Sequence, residues 1–328
     1  MRALTNINAT TVDEAVAVAA QASNDGRKFA FSGGGTDLLQ QIKDGTADVD
    51  VIINLRSVTD AEQIEVGTTE IGIGGLITLT DLAADATLAQ RLAVLTEAAA
   101  SVATPQIRNV ATLAGNITQR PWCWYYRNGF HCFKAGGERC YSVTGENQQH
   151  AIFGGGPSFI VHPSDTAPAL VALNASFEVA SSNGKRQLSA DEFFVLPSQN
   201  PARENALSTT ELLIGVRVPT PTANTVSTYF KVMDREAWTH AEVSVAAVLS
   251  FTSSTIDSAR IVLGGVAPIP WRLPALENFL VGKQLNAALA HEAGVMAIAN
   301  AQPLAKNAHK LPMTSGAVER ALMRLLPV

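Results

Sequence analysis

Apolar residues first recur at helical spacing just after Thr11-Val12-Asp13-Glu14, where Val12, Ala15, Val16 and Ala19 share one face. The Thr hydroxyl and Glu carboxylate of that tetrapeptide can satisfy reciprocal backbone donors, so the pattern predicts a helix to about Gln21. A short strand at Lys28 to Phe31 runs straight into Ser32-Gly33-Gly34-Gly35-Thr36-Asp37. Leu38, Leu39 and Ile42 predict a helix beyond that loop, and Val49 to Leu55 reads as a buried strand. Two strands follow, Gln63 to Val66 and Glu70 to Ile73, around a turn at Gly67-Thr68. A helix begins near Thr78-Leu79-Thr80-Asp81, and Leu88 to Val102 reads as one longer, alanine-rich helix.

Asp165 to Leu173 has a helical pattern, and Phe177 to Ala180 pairs with Lys185 to Leu188 through Asn183-Gly184, a strong hairpin signal. Glu211 to Pro219 is one more strand. The pattern then breaks at Pro219-Thr220-Pro221-Thr222-Ala223-Asn224. Beyond it come strands at Ser227 to Val232, Val243 to Phe251 and Ala259 to Leu263. Helices follow at about Pro274 to Val281, Asn286 to Ala301 and Ser315 to Leu325. Strands followed by helices predict a small α+β unit.

Composition narrows the class. At 328 residues, with 47% hydrophobic and 16% charged residues, the chain can bury sizeable cores in two or three units. A net charge of −5, with no dense run of Lys and Arg, argues against a nucleic-acid partner. No apolar run approaches the ~18 residues of a membrane span, so no membrane insertion is expected. The first residues lack the apolar centre of a signal peptide, which makes the cytoplasm the expected compartment.

Candidate chemistry concentrates in two places. In the first, consecutive glycines between a strand and a helix let backbone N–H groups approach an anion, although Ser32 to Asp37 matches neither the Rossmann nor the P-loop pattern. A plain turn explains the same residues, and the same holds for Thr112-Leu113-Ala114-Gly115-Asn116. The second place holds all three cysteines, Cys123, Cys132 and Cys140, within 18 positions. Their spacing suits neither a zinc ribbon nor a redox Cys-x-x-Cys. Free thiols in a structural loop, zinc completed by His131 or His150, and an iron–sulfur cluster short of its usual fourth cysteine all remain open. Trp122, Trp124, Tyr125, Tyr126 and Arg127 read equally as a partner surface, an electron-transfer neighbourhood or a packed loop core. His162 and His240 read as structural. No Ser-His-Asp order or paired-carboxylate spacing stands out.

At these residues the chain resembles a known family, the FAD-binding (medium) subunits of molybdenum hydroxylases, the xanthine dehydrogenase and aldehyde oxidoreductase group. The resemblance spans essentially the whole chain. It is carried in order by Phe31-Ser32-Gly33-Gly34-Gly35-Thr36-Asp37-Leu38, Ala111-Thr112-Leu113-Ala114-Gly115-Asn116-Ile117, His162-Pro163-Ser164-Asp165 and Gly264-Gly265-Val266-Ala267-Pro268. It implies an α+β chain: a two-lobed FAD domain over 1–56 and 57–220, then a C-terminal domain over 221–328 with a three-stranded sheet and helices. The first loop and Thr112 to Ile117 would cradle the FAD pyrophosphate through backbone N–H groups. Asp165 would contact the flavin's sugar-like chain, Leu212 and Leu213 would flank the adenine, and Lys231 would lie near the isoalloxazine, favouring an anionic reduced flavin.

The segment from about 119 to 155 resembles an insertion that carries a [4Fe–4S] cluster in a subset of these subunits. Cys123, Cys132 and Cys140 match three ligands, and Gly145-x-Asn147-x-x-His150 matches the trailing motif. The chain departs at Ser158, where the subset has its fourth cysteine. A Ser- or His-completed [4Fe–4S] cluster, a three-iron cluster and a vestigial loop stay open. The resemblance further implies partners: a large subunit with the molybdenum cofactor, a small [2Fe–2S] subunit and an external electron acceptor. The substrate would be hydroxylated in the large subunit, so no catalytic acid or base is expected in this chain. It also implies a second possible compartment, the periplasm, reached by co-export with a partner. A free-standing flavin oxidase or reductase, and a non-enzymatic metal-binding scaffold, are the alternatives.

Overall fold

The computed structural model describes residues 3–326. The first sheet is parallel, in the order β1-β3-β2, from β1 (Thr5–Asn8), β2 (Phe29–Ser32) and β3 (Val51–Asn54). The helix Val12–Asn24 covers it, burying Val12, Ala15, Val16, Ala19 and Ala22. Its Thr11 cap accepts from the Glu14 amide, as the tetrapeptide predicts. Strand β1 escapes the pattern because Thr5-Asn6-Ile7-Asn8 carries one apolar residue; its register with β3 alone makes it a strand.

The second sheet is antiparallel, in the order β4-β5-β8-β6-β7. Its strands are β4 (Ile64–Val66), β5 (Glu70–Gly74), β6 (Ser176–Ser181), β7 (Gly184–Leu188) and β8 (Leu212–Pro219). The expected Asn183-Gly184 hairpin joins β6 to β7, with Phe177 opposite Leu188. The expected single helix over Leu88 to Val102 is instead two, Ala86–Arg91 and Ala93–Ala100. Leu92 breaks them at φ −130° while staying fully buried, so the apolar period runs on through the interruption.

The third sheet has four strands rather than the expected three, in the order β12-β11-β10-β9. To β9 (Thr225–Val232), β10 (Val243–Thr252) and β11 (Thr255–Gly264) it adds β12 (Trp271–Arg272), two residues paired with Val262 and Leu263. Two residues are too few to carry an alternating pattern. The last helix, Lys310–Met323, starts five positions before the expected Ser315. Its first turn contains buried Lys310, whose Nζ donates to the Glu242 and Gly265 carbonyls at 3.1 and 2.7 Å. A lysine and a proline conceal that start.

Candidate functional site: a donor-lined cleft beside a thiol loop

A cleft of about 920 Å³ opens among the three sheets, within the size range of ligand sites. Phe31, Ser32, Gly33, Gly34, Gly35, Thr36, Asp37 and Leu38 form one wall. Among the described residues, no amide from Gly33 through Asp37 donates to a protein acceptor. Consecutive N–H groups without protein acceptors, on residues that line a cleft, suit an anionic ligand.

The facing wall supplies Thr112, Gly115 and Asn116. Its amides are already engaged: Leu113 to the Ile77 carbonyl, Ala114 to that of Gly75, Gly115 to Thr112 Oγ1, and Asn116 to the Thr112 carbonyl. This segment therefore offers side chains, while the glycine loop offers backbone donors. Asn116 Oδ1 accepts from Ser164 Oγ at 2.6 Å and from Thr166 Oγ1 at 2.7 Å. That fixes the amide so that Nδ2, which has no protein acceptor among the described residues, is the free donor of this cleft-lining side chain. Ala114 and Ile117 lie inside the second sheet's core, as does Leu213, and Leu212 packs with the first sheet's core; none of the four lines the cleft.

At the base, Asp165 is buried and saturated. Its Oδ1 accepts from Tyr229 Oη at 2.7 Å, and its Oδ2 pairs with Lys231 Nζ at 2.7 Å. Lys231 also donates to the Ser101 carbonyl at 3.0 Å and is no part of the cleft wall. The cation that the resemblance implies is thus neutralised by Asp165. Tyr229 partners this pair; its place on β9 two residues before Lys231 puts both on the same sheet face, a signal the sequence did contain.

Trp122, Trp238 and His240 add aromatic surface to the cleft wall. Trp238 is 59% exposed and holds a left-handed backbone at φ 58°; its amide donates to the carbonyl of Ala103, itself at φ 42°. The indole of Trp122 packs against the His240 ring at 5.4 Å. His162, also on the wall, is buried with its ring edge-on to Phe194, and burial holds its pKa at about 4 against an ordinary 6.5. Unfolding releases a ring that binds a proton more readily. Stability is therefore full above about pH 6.5 and falls as pH drops toward 4. Denaturant titrations are expected to show about 3 kcal/mol of that loss removed in a His162→Phe variant. An unchanged acid slope would reject the assignment.

The thiol loop abuts this cleft. Cys123 and His150 line it, and Cys123 Sγ lies 3.4 Å from His150 Nε2. Burial pushes the Cys123 thiol up to about 11, against a lowering influence of the Tyr126 and Tyr125 backbone and with a small further rise from Cys140 and Cys132. Cys140 Sγ accepts from the Phe159 amide at 3.5 Å, beside buried Ser158. All three thiols are free of disulfides. Among the described residues no group of three or more His, Cys, Asp or Glu is placed to hold a metal ion.

The family model for the FAD binding domain in molybdopterin dehydrogenase matches residues 2–221, and that for the CO dehydrogenase flavoprotein C-terminal domain matches residues 228–324. The chain is 35% identical over 293 residues to the aldehyde oxidoreductase FAD-binding subunit PaoB of Escherichia coli, covering 86% of each. It is 27% identical to the carbon monoxide dehydrogenase medium chain of Hydrogenophaga pseudoflava, over 95% of this chain and 93% of that one. A solved carbon monoxide dehydrogenase from the same organism superposes with a TM-score of 0.77 at 25% identity, covering 98% of this chain and 96% of that one. The donor-lined cleft, the three-sheet fold and these matches agree: the chain belongs to the FAD-binding medium subunits of the molybdenum hydroxylase family, and is an oxidoreductase subunit.

Proposed function

We propose that the cleft holds FAD with its pyrophosphate at the Gly33 to Asp37 amides, in a chain that passes electrons within a heterotrimeric molybdenum hydroxylase. The carrying observation is that run of amides without protein acceptors on residues that line the cleft. Bound FAD supplies chemistry that can exchange electrons singly or in pairs. The chain's own residues bind and orient: Asn116 Nδ2 donates from one wall, Asp165 fixes the base through Tyr229 and Lys231, and Trp122 and Trp238 border the cleft with aromatic surface. Phe31, Thr36 and Leu38 complete the glycine wall, while Ala114, Ile117 and Leu213 act from the second sheet's core and Leu212 from the first's. Functional division follows at 1–56, 57–220 with the insertion near 119–155, and 221–328.

The partners are a large subunit with the molybdenum cofactor and a small [2Fe–2S] subunit. Relatives named as carbon monoxide dehydrogenase medium chains support a complex of this kind. Electrons leave to an external acceptor, and the compartment proposed is the cytoplasm. No helix among the described residues is long and apolar enough to cross a membrane.

The thiol loop is proposed to carry a [4Fe–4S] cluster on Cys123, Cys132 and Cys140, with Ser158 or His150 as fourth ligand. Assay of flavin, iron and acid-labile sulfide on the full chain, purified anaerobically, tests both sites at once. One FAD and about four irons are expected, with the iron lost in Cys132→Ser. Flavin without iron leaves an FAD subunit with an empty loop. Neither flavin nor iron, even after cofactor supplementation, rejects the reading.

A further inference from the structure

Arg127 stands in the thiol loop, between Cys123 and Cys132, yet its guanidinium is directed at the glycine wall. It is 9% exposed. Nη2 donates to Asp37 Oδ1 at 2.7 Å and to the Arg120 carbonyl at 2.9 Å, and Nε donates to the Pro121 carbonyl at 2.9 Å. The guanidinium also lies 4.3 Å from the Trp122 ring centroid, and that ring meets His240 across the cleft. Asp37 is held from the same loop a second time: its Oδ2 accepts from the Arg120 amide at 2.9 Å, and from Gln41 Nε2 at 2.8 Å.

Asp37 ends the run of unsatisfied amides. Whatever fixes its carboxylate fixes the direction in which those N–H groups point. A carboxylate beside a phosphate site would by itself repel the ligand, and pairing it with a buried guanidinium cancels that charge. The two carboxylate oxygens are both taken by this network, so Asp37 cannot turn toward the cleft without breaking it.

We propose that Arg127 is a positioning residue for FAD. By clamping Asp37 it sets the glycine wall, so that order in the thiol loop and affinity for FAD depend on each other. This rests on the reading that the cleft holds FAD. Linkage makes the effect reciprocal: whatever Arg127 adds to FAD affinity, FAD returns as protection of the thiol loop.

The test uses the full chain stripped of FAD and titrated with FAD by flavin fluorescence, alongside hydrogen exchange of residues 120–134 with and without FAD. Arg127→Gln and Asp37→Asn are each expected to weaken FAD binding by about 5- to 150-fold, the usual range of coupling. The double variant should be no weaker than the worse single one, because both remove the same contact. FAD should slow exchange in 120–134 in the unaltered chain, and this protection should shrink in Arg127→Gln. If Arg127→Gln does not fold, Asp37→Asn and the exchange measurement on the unaltered chain still decide. FAD affinity within twofold of the unaltered chain, additive losses, or no FAD-dependent protection would each overturn the clamp. An unaltered chain that takes up no FAD overturns instead the reading beneath it, and the clamp with it.

Discussion

Gly34→Ala is expected to cost the chain its FAD while leaving most of its secondary structure. A Cβ at position 34 would stand 1.9 Å from the Val110 carbonyl oxygen, 2.5 Å from its carbon and 2.9 Å from the Ala111 nitrogen. These are backbone atoms, and they are pinned. Val110 and Ala111 donate to the Ile107 carbonyl at 3.1 and 2.8 Å, and the Ala111 carbonyl accepts from Leu79 at 2.9 Å. The facing segment cannot give way, so the glycine loop must lift and carry its amides away from the cleft. Hydrogen bonds to a charged group contribute about 1.5–3 kcal/mol each, so displacing two or more predicts at least about a 100-fold loss of FAD affinity. Flavin absorbance per chain after gel filtration, with titration of the stripped chain, reads this directly. Gly282→Ala, outside the cleft lining, is the control: its φ of 80° makes it strained, but a Cβ there meets nothing within 4 Å, so FAD affinity should hold. Normal FAD content in Gly34→Ala would refute the placement of the phosphates.

The second large effect is on stability. Lys231→Met leaves Asp165, 4% exposed, with Tyr229 as its remaining side-chain partner. Removing one member of a buried ion pair costs about 3–5 kcal/mol, because the other charge stays desolvated. Denaturant unfolding should show that loss in Lys231→Met. Most of it should return in the Lys231→Met/Asp165→Asn double variant, which removes both charges. Tyr229 is tied in turn to the helix Ala93–Ala100, where Glu97 accepts from its amide at 2.7 Å and from Thr228 Oγ1 at 2.8 Å. The pair therefore joins β9 to the helices of the second sheet at the floor of the cleft. Equal losses in the single and double variants would show that packing, not charge, holds this floor.

Both predictions concern contacts between segments far apart in sequence, and that divides what could be read early from what could not. The helix capped by Thr11, the β6–β7 hairpin and the strands β8, β10 and β11 follow from spacing and turn chemistry, because such signals are local. Strand β1, the break at Leu92, the two-residue β12 and the start of the last helix at Lys310 do not, since each is decided by a neighbour the pattern cannot see. The site divides in the same way. The glycine loop is visible as a residue pattern, Thr112 to Asn116 and Asp165 gain their meaning from the family resemblance, and the fold brings the loop, Thr112, Gly115, Asn116 and Asp165 to one cleft.

By itself, the sequence determined that this chain has a loop able to offer bare backbone donors, a cluster of three thiols, and the ordered motifs of a flavoprotein subunit. Only the tertiary structure decided which donors are free. Leu113 to Asn116 spends its amides on Ile77, Gly75 and the Thr112 cap, Lys231 spends its charge on Asp165, and Arg127 reaches out of the thiol loop to hold Asp37. A residue's type fixes what it can bond, but its availability depends on which partners the folded chain brings within about 3 Å of it.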